Sequence, residues 1–207
     1  MEKKIAQALL RIKAVKLNPQ NPFIWTSGIK SPIYCDNRLS LSYPPTRNLI
    51  IRGLKEKSSV FGEVDMIMGV ATAGIPHGAI LAHVLKKPFG YIRDKAKAHG
   101  RQNQIEGLIL PGAKVLVIED LISTGLSSLK AVEAVREVGM NVLGVLAIFN
   151  YGFEETDRVF AEHNCPFVAL SNYDILLEVA QVTKYINAEE LEDLKKWRLS
   201  PANWRNK

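Results

Sequence analysis

Two adjacent carboxylates, Glu119 and Asp120, follow the apolar run Val115-Leu116-Val117-Ile118 and precede Leu121-Ile122-Ser123-Thr124-Gly125-Leu126-Ser127-Ser128. A wholly apolar run of this length predicts a strand buried on both faces. Ligands in open α/β sheets bind beyond the carboxyl ends of such strands. A helix that starts after the hydroxyl-rich stretch offers unpaired N–H groups and a partial positive charge, which suits a phosphate. Gly125 lets the backbone come close, and Ser123, Thr124 and Ser127 add hydroxyl donors. Glu119 and Asp120 would repel a phosphate in the same pocket. They fit better as acceptors for sugar hydroxyls beside it, or as partners of a metal-bound diol. A phosphorylated ribose meets both demands. The plain alternative is a capped helix after a core strand, because serine and threonine are common caps. The acidic pair at the end of an otherwise apolar strand favours a site.

A second stretch carries positive charge. Arg93, Lys95, Lys97 and Arg101 stand close together against one acid, Asp94. The segment from Arg93 to Gly107 is long, basic and poor in apolar residues, so it reads either as a solvated surface loop or as a lid. Gly69 to Ile75 is a small-residue turn between an apolar run and a helical pattern. From its residues it reads as a tight connection before the helix. The patterns G-x-x-x-x-G-K-[ST] and G-x-G-x-x-G are absent, which removes support for kinase, NTPase and dinucleotide readings.

The chain that positions these residues has 207 of them, 47% hydrophobic and 23% charged, with a formal net charge of +6. This composition predicts one ordinary domain with a real core. No apolar run is long enough for a membrane helix. The first residues carry charges throughout and no cleavage pattern, so a secretory signal is not expected. Cys35 and Cys165 make no disulfide framework and no zinc pattern. A reducing, cytoplasmic setting follows as the expectation. The basic cluster beside an acidic region from Glu178 to Asp193 suits a small anionic ligand better than a long polyanion such as nucleic acid.

The periodicity predicts a helix over 3–17, short strands and turns over 23–43, and a helix from Pro44-Pro45 to about Lys57. Asp65–Val70 reads as a buried strand, Gly74–Lys86 as a helix, and Phe89–Ile92 as a short strand. Lys114–Ile118 reads as a strand, Ser128–Val138 as a helix ending at Gly139, and Val142–Phe149 as a strand. Helices over Ser171–Tyr185 and from Asn187 complete the chain. The alternation predicts an α/β fold with a mainly parallel sheet. His77 and His163 read as structural, and His83 as a packing residue on its helix.

The segment Val117 to Gly125 resembles the PRPP-binding signature of type I phosphoribosyltransferases. Tyr91-Ile92-Arg93-Asp94-Lys95-Ala96-Lys97-Ala98-His99-Gly100, followed by Gln104-Ile105-Glu106-Gly107, resembles the catalytic loop of the orotate phosphoribosyltransferase family. Phe23 to Tyr34 resembles that family's N-terminal substrate segment. The resemblance implies a type I phosphoribosyltransferase fold over residues 1–207, with a small hood from 18–45 and the C-terminal segment. It implies the reaction of orotate with PRPP, supported by Mg²⁺ carried on the substrate's phosphates. Arg93, Lys97 and His99 would bind pyrophosphate across the interface of a homodimer with shared active sites. Glu119, Asp120, Leu121, Ile122, Ser123, Thr124, Gly125, Leu126 and Ser127 would bind PRPP. Asp120, Lys97 and His99 would be catalytic, and Ser123 and Lys30 would contact orotate. No protein metal ligand, nucleic acid or membrane partner is implied. Thr26, Thr72, Ala73, Asp94, Leu126 and Asn150-Tyr151 depart from residues found in some relatives, which leaves open which cation faces the orotate carboxylate. Other base transferases, and a PRPP-sensing regulator that binds nucleic acid, are the alternatives.

Overall fold

Strands buried on both faces need apolar side chains in both directions, and the central runs of this chain supply them. Met66, Met68, Val115, Val117, Val145 and Ala147 pack into one core, and Ile67, Leu116, Ile118, Leu146 and Ile148 into the other. Alternate residues of each strand thus feed opposite faces of a single sheet. The computed structural model describes residues 1–25, 28–94 and 104–205.

In chain order the elements are α1 (Glu2–Arg11), β1 (Val15–Leu17), β2 (Phe23–Ile24), β3 (Lys30–Ser31), β4 (Ile33–Cys35), a 3-10 turn (Asn37–Ser42), α2 (Pro44–Ser58), β5 (Met66–Val70), α3 (Gly74–Leu85), β6 (Phe89–Ile92) and β7 (Ile105–Glu106). There follow β8 (Lys114–Ile122), α4 (Leu126–Glu137), β9 (Asn141–Asn150), α5 (Glu154–Glu162), β10 (Phe167–Asn172), α6 (Tyr173–Val182) and α7 (Ala188–Leu199). The main sheet has the order β10-β9-β8-β5-β6-β7. All its pairings are parallel except β6 with β7. α1, α2 and α6 contribute to the core on one face, and α4 and α5 to the core on the other. The architecture is α/β, one mainly parallel sheet with helices on both faces, as the sequence predicts.

Four differences from the sequence expectation have physical causes. The helix predicted over 3–17 stops at Arg11. Lys13 turns the chain at φ 59°, and Val15–Leu17 pairs antiparallel with Ile33–Cys35. A tertiary pairing overrides a periodicity that continues through Val15. The strand predicted to end at Ile118 runs on to Ile122, so Glu119 and Asp120 lie within it. The helix predicted from Ser171 is preceded by β10 and begins at Tyr173, where the Asn172 side chain accepts from the Ile175 N–H as an N-cap. α5, which the sequence reading left out, buries Thr156, Val159 and Phe160 on one side.

An aromatic cluster ties the N-terminal segment to the end of the chain. Trp25 stacks on Tyr151 at 5.5 Å and meets the edge of Trp197 at 5.7 Å. The Trp25 indole N–H donates to the Ile33 carbonyl at 3.2 Å. These contacts hold Trp25 against Tyr151, at the end of β9, and against Trp197 of α7.

Candidate active site

Strand alternation gives the two carboxylates different duties. Glu119 lies on the face covered by α4, where the Ser128 hydroxyl donates to its Oε2 at 3.2 Å. Asp120 lies on the other face, among Asp36, Arg38 and Cys35 of the N-terminal segment. The Asp120 N–H donates to Glu119 Oε1 at 3.0 Å. Glu119 is 6% exposed. Burial raises its carboxyl well above the ordinary range, and the neighbouring Asp120 charge raises it further. Burial raises Asp120 as well, opposed by the hydrogen bond with Glu119 and by the Arg38 charge. A buried pair of this kind favours a bound cation or hydroxyl donors that restore the ionised form.

The phosphate-sized loop follows directly. Gly125 takes φ 84° and caps α4. A Cβ there would stand 2.5 Å from the Phe160 ring, so conformation and space both require glycine. The Ser123 carbonyl accepts from Thr156 Oγ1 at 2.6 Å, so the start of α5 holds the loop from behind. From the front, Asn37 Nδ2 donates to the Asp120 carbonyl at 2.7 Å. Opposite lies the turn Ala71–Ala73, brought in by close packing of α3 on the sheet: a Cβ on Gly74 would stand 2.3 Å from the Ile118 carbonyl oxygen.

These walls enclose a cavity of about 470 Å³. Asp36 and Arg38 form one side, Ala71–Ala73 another, and Glu119, Asp120, Leu121 and the Ser123–Ser127 loop the floor. A second cavity, of about 620 Å³, adjoins it at Ser123 and Thr124 and runs between Trp25, Phe153 and the Arg198–Ala202 segment. Among the described residues no group of three or more His, Cys, Asp or Glu could hold a metal ion. The acidic pair supplies only hard oxygen donors, which fits a magnesium ion that arrives with phosphates and keeps most of its ligands from substrate and water.

Residues 46–168 match the model of the phosphoribosyl transferase domain family. The orotate phosphoribosyltransferase of Listeria monocytogenes is 54% identical over 99% of this chain and 98% of its own. The chain belongs to the orotate phosphoribosyltransferase family. Among solved structures, the orotate phosphoribosyltransferase of Aeropyrum pernix is 29% identical, with a TM-score of 0.77 over 88% of this chain and 99% of that one. The Leishmania donovani UMP synthase is 26% identical, with a TM-score of 0.81 over 95% of this chain, which spans 42% of that longer one.

In this family member the residues expected at the site divide into three groups. Glu119, Asp120, Leu121, Ser123, Thr124, Gly125 and Ser127 line the cavity together. Ile122 is fully buried in the core beneath the loop and does not line the cavity. Leu126 is 56% exposed and lines a different groove along α4. Lys30 also stands apart from the cavity: Ser31 is the buried residue of β3, and alternation turns Lys30 outward. Arg93 follows β6, with its N–H bonded to the Gln104 carbonyl at 2.8 Å and its guanidinium 3.5 Å from Glu106. Lys97 and His99, with Thr26 and Lys95, lie outside the described residues.

Of the other histidines, His83 is exposed on α3. The His163 ring Nδ1 lies 2.8 Å from the Val159 carbonyl. His77 is fully buried with neither ring nitrogen partnered.

The sequence reading missed Cys35, Asp36, Asn37, Arg38 and Thr156. Asn37 and Thr156 reach the site only through hydrogen bonds that span 83 and 33 residues of chain. Asp36 and Arg38 carried a weak signal, two charged residues directly after the substrate-like segment ending at Tyr34.

Proposed function

We propose that this chain transfers the ribose 5-phosphate group of PRPP to orotate, giving orotidine 5′-phosphate and pyrophosphate, a step of pyrimidine synthesis. The observation that carries the reading is the cavity in which a buried acidic pair adjoins a glycine-capped hydroxyl loop, in a chain 54% identical to an orotate phosphoribosyltransferase. The same likeness favours orotate over purine or uracil as the base, and an enzyme over a nucleic-acid-binding regulator.

The Thr124–Ser127 loop and the start of α4 bind the 5-phosphate through backbone N–H and hydroxyl donors, and Ser123 contacts orotate. Asp120 and Glu119 accept from the ribose hydroxyls and stabilise the positive charge that develops at C1. The backbone of Ala71–Ala73 faces the leaving pyrophosphate. Mg²⁺, held by the substrate's phosphates beside Asp120 and Glu119, would neutralise the departing charge. The base nitrogen is the nucleophile, so no protein nucleophile is required. Arg93, Lys97 and His99 bind pyrophosphate in a cytoplasmic homodimer, Lys97 and His99 reaching across to the partner's site. The segment 18–45 and the C-terminal segment form a hood that excludes water from the reacting ribose.

The test is the fall of orotate absorbance on mixing the purified chain with orotate, PRPP and Mg²⁺. Loss of orotate with stoichiometric orotidine 5′-phosphate is expected. Turnover with uracil or a purine in place of orotate, and none with orotate, would overturn the reading.

A further inference from the structure

Orotate differs from uracil by one carboxylate, and a site that prefers it needs a cation or N–H donors there. The structure offers a specific cation. Arg38 lines the cavity beside Asp120, and it is the cationic side chain among the described residues that does so. Its Nε donates to Asp36 Oδ1 at 2.7 Å and its Nη2 to Asp36 Oδ2 at 3.0 Å. This side-on fork uses two of the five N–H donors of the guanidinium. The end-on edge, formed by Nη1 and the second Nη2 hydrogen, is left with the spacing that suits another carboxylate. The side chain is 60% exposed, so the edge is open to a ligand. Asp36 is in turn placed by its own backbone: the Asp36 N–H donates to the Ala14 carbonyl at 2.7 Å, and the next residue, Asn37, is tied to the end of β8.

The position fits the reaction as well as the charge. In a displacement at C1 of ribose, the incoming base and the departing pyrophosphate occupy opposite faces of that carbon. With pyrophosphate over Ala71–Ala73, the base approaches from the side of Cys35 and Arg38. The competing cation is Arg198 in the adjoining cavity. It donates to Asp174 at 2.5 Å, lies 6.0 Å from the Tyr173 ring and stands outside the cavity that holds Asp120.

Building on the orotate reading above, we propose that Arg38, oriented by Asp36, binds the carboxylate of orotate and sets the preference for orotate over uracil. The test compares orotidine 5′-phosphate with UMP, which lacks only that carboxylate, by calorimetric titration of the full-length wild type, Arg38→Met, Arg38→Lys and Arg198→Met. Arg38→Met should weaken orotidine 5′-phosphate about 10- to 100-fold, the size of a charge-assisted bidentate pair, and leave UMP within about twofold. Arg38→Lys, which keeps the charge and loses the fork, should fall between. Equal weakening of both nucleotides, no change in either, or a collapse of the preference in Arg198→Met alone would overturn the assignment. Orotate turnover by the wild type, measured alongside, separates failure of this assignment from failure of the orotate reading.

Discussion

The cavity has two principal walls built in opposite ways. The sheet wall, Glu119 to Ser127, is one unbroken stretch of chain, and its fixed points are the end of a buried strand and a glycine cap. The N-terminal wall, Cys35 to Arg38, is a short segment beyond a three-residue strand, and it reaches the sheet through the bond from Asn37 to the Asp120 carbonyl. The first wall carries the groups proposed above to hold phosphate and ribose. The second carries Arg38, proposed above to set the preference between bases. On these assignments the shared chemistry would sit on the contiguous element, and selectivity on a part that can change without rebuilding the sheet.

The largest effect should come from breaking the sheet wall. Asp120→Asn keeps the shape and removes the charge proposed to face the developing cation, and kcat should fall about 10²–10³-fold with thermal stability little changed. A fall of less than twofold at saturating substrates would make Asp120 a structural residue. The same variant tests the shared site. Random reassociation with a Lys97→Ala, His99→Ala double variant should restore roughly a quarter of wild-type activity, because half the dimers would be mixed and each would hold one intact site. No recovery after verified subunit exchange would place the loop over its own subunit.

A second effect sharpens the comparison through α3, which follows the Ala71–Ala73 turn at the cavity. His77 is fully buried, and burial lowers it from 6.5 to about 4. The unfolded chain therefore binds the extra proton between these values. The associated stability is fully present above pH 6.5, and it is lost as pH falls towards 4, by about 3 kcal/mol in all. Urea unfolding of wild type and His77→Leu across that range is the check. An equal slope in both would assign the acid sensitivity to other groups.

The smallest effects are a crossed pair. Asn37→Ala frees the N-terminal wall, and Thr156→Val frees the back of the phosphate loop; each should cost about 1 kcal/mol of stability. Their kinetic signatures should differ. Asn37→Ala should raise KM for orotate more than for PRPP, and Thr156→Val the reverse. Identical shifts in both variants would merge the two walls into one functional unit.

The strand-loop-helix at Val115–Ser128 was legible because all its parts are adjacent, so residue type and order already specify a buried strand end, a glycine turn and a helix start. The parallel sheet was legible for the same reason, since each central strand is a continuous apolar run. Lys30 and Arg38 show the limit. Both are cations in the N-terminal segment, and only the pairings of β3 with β2 and of β4 with β1, together with the Asn37 anchor, turn one outward and set the other in the cavity. Val15–Leu17 shows it again: its spacing continues a helix, while its partner Ile33–Cys35 makes it a strand. Local order in the sequence determined the strand, loop and helix start to which the phosphate and ribose chemistry is assigned above. Contacts between segments distant in sequence decided which side chains complete the site, because hydrogen bonds and strand pairings formed across the fold leave no periodic mark in either segment alone.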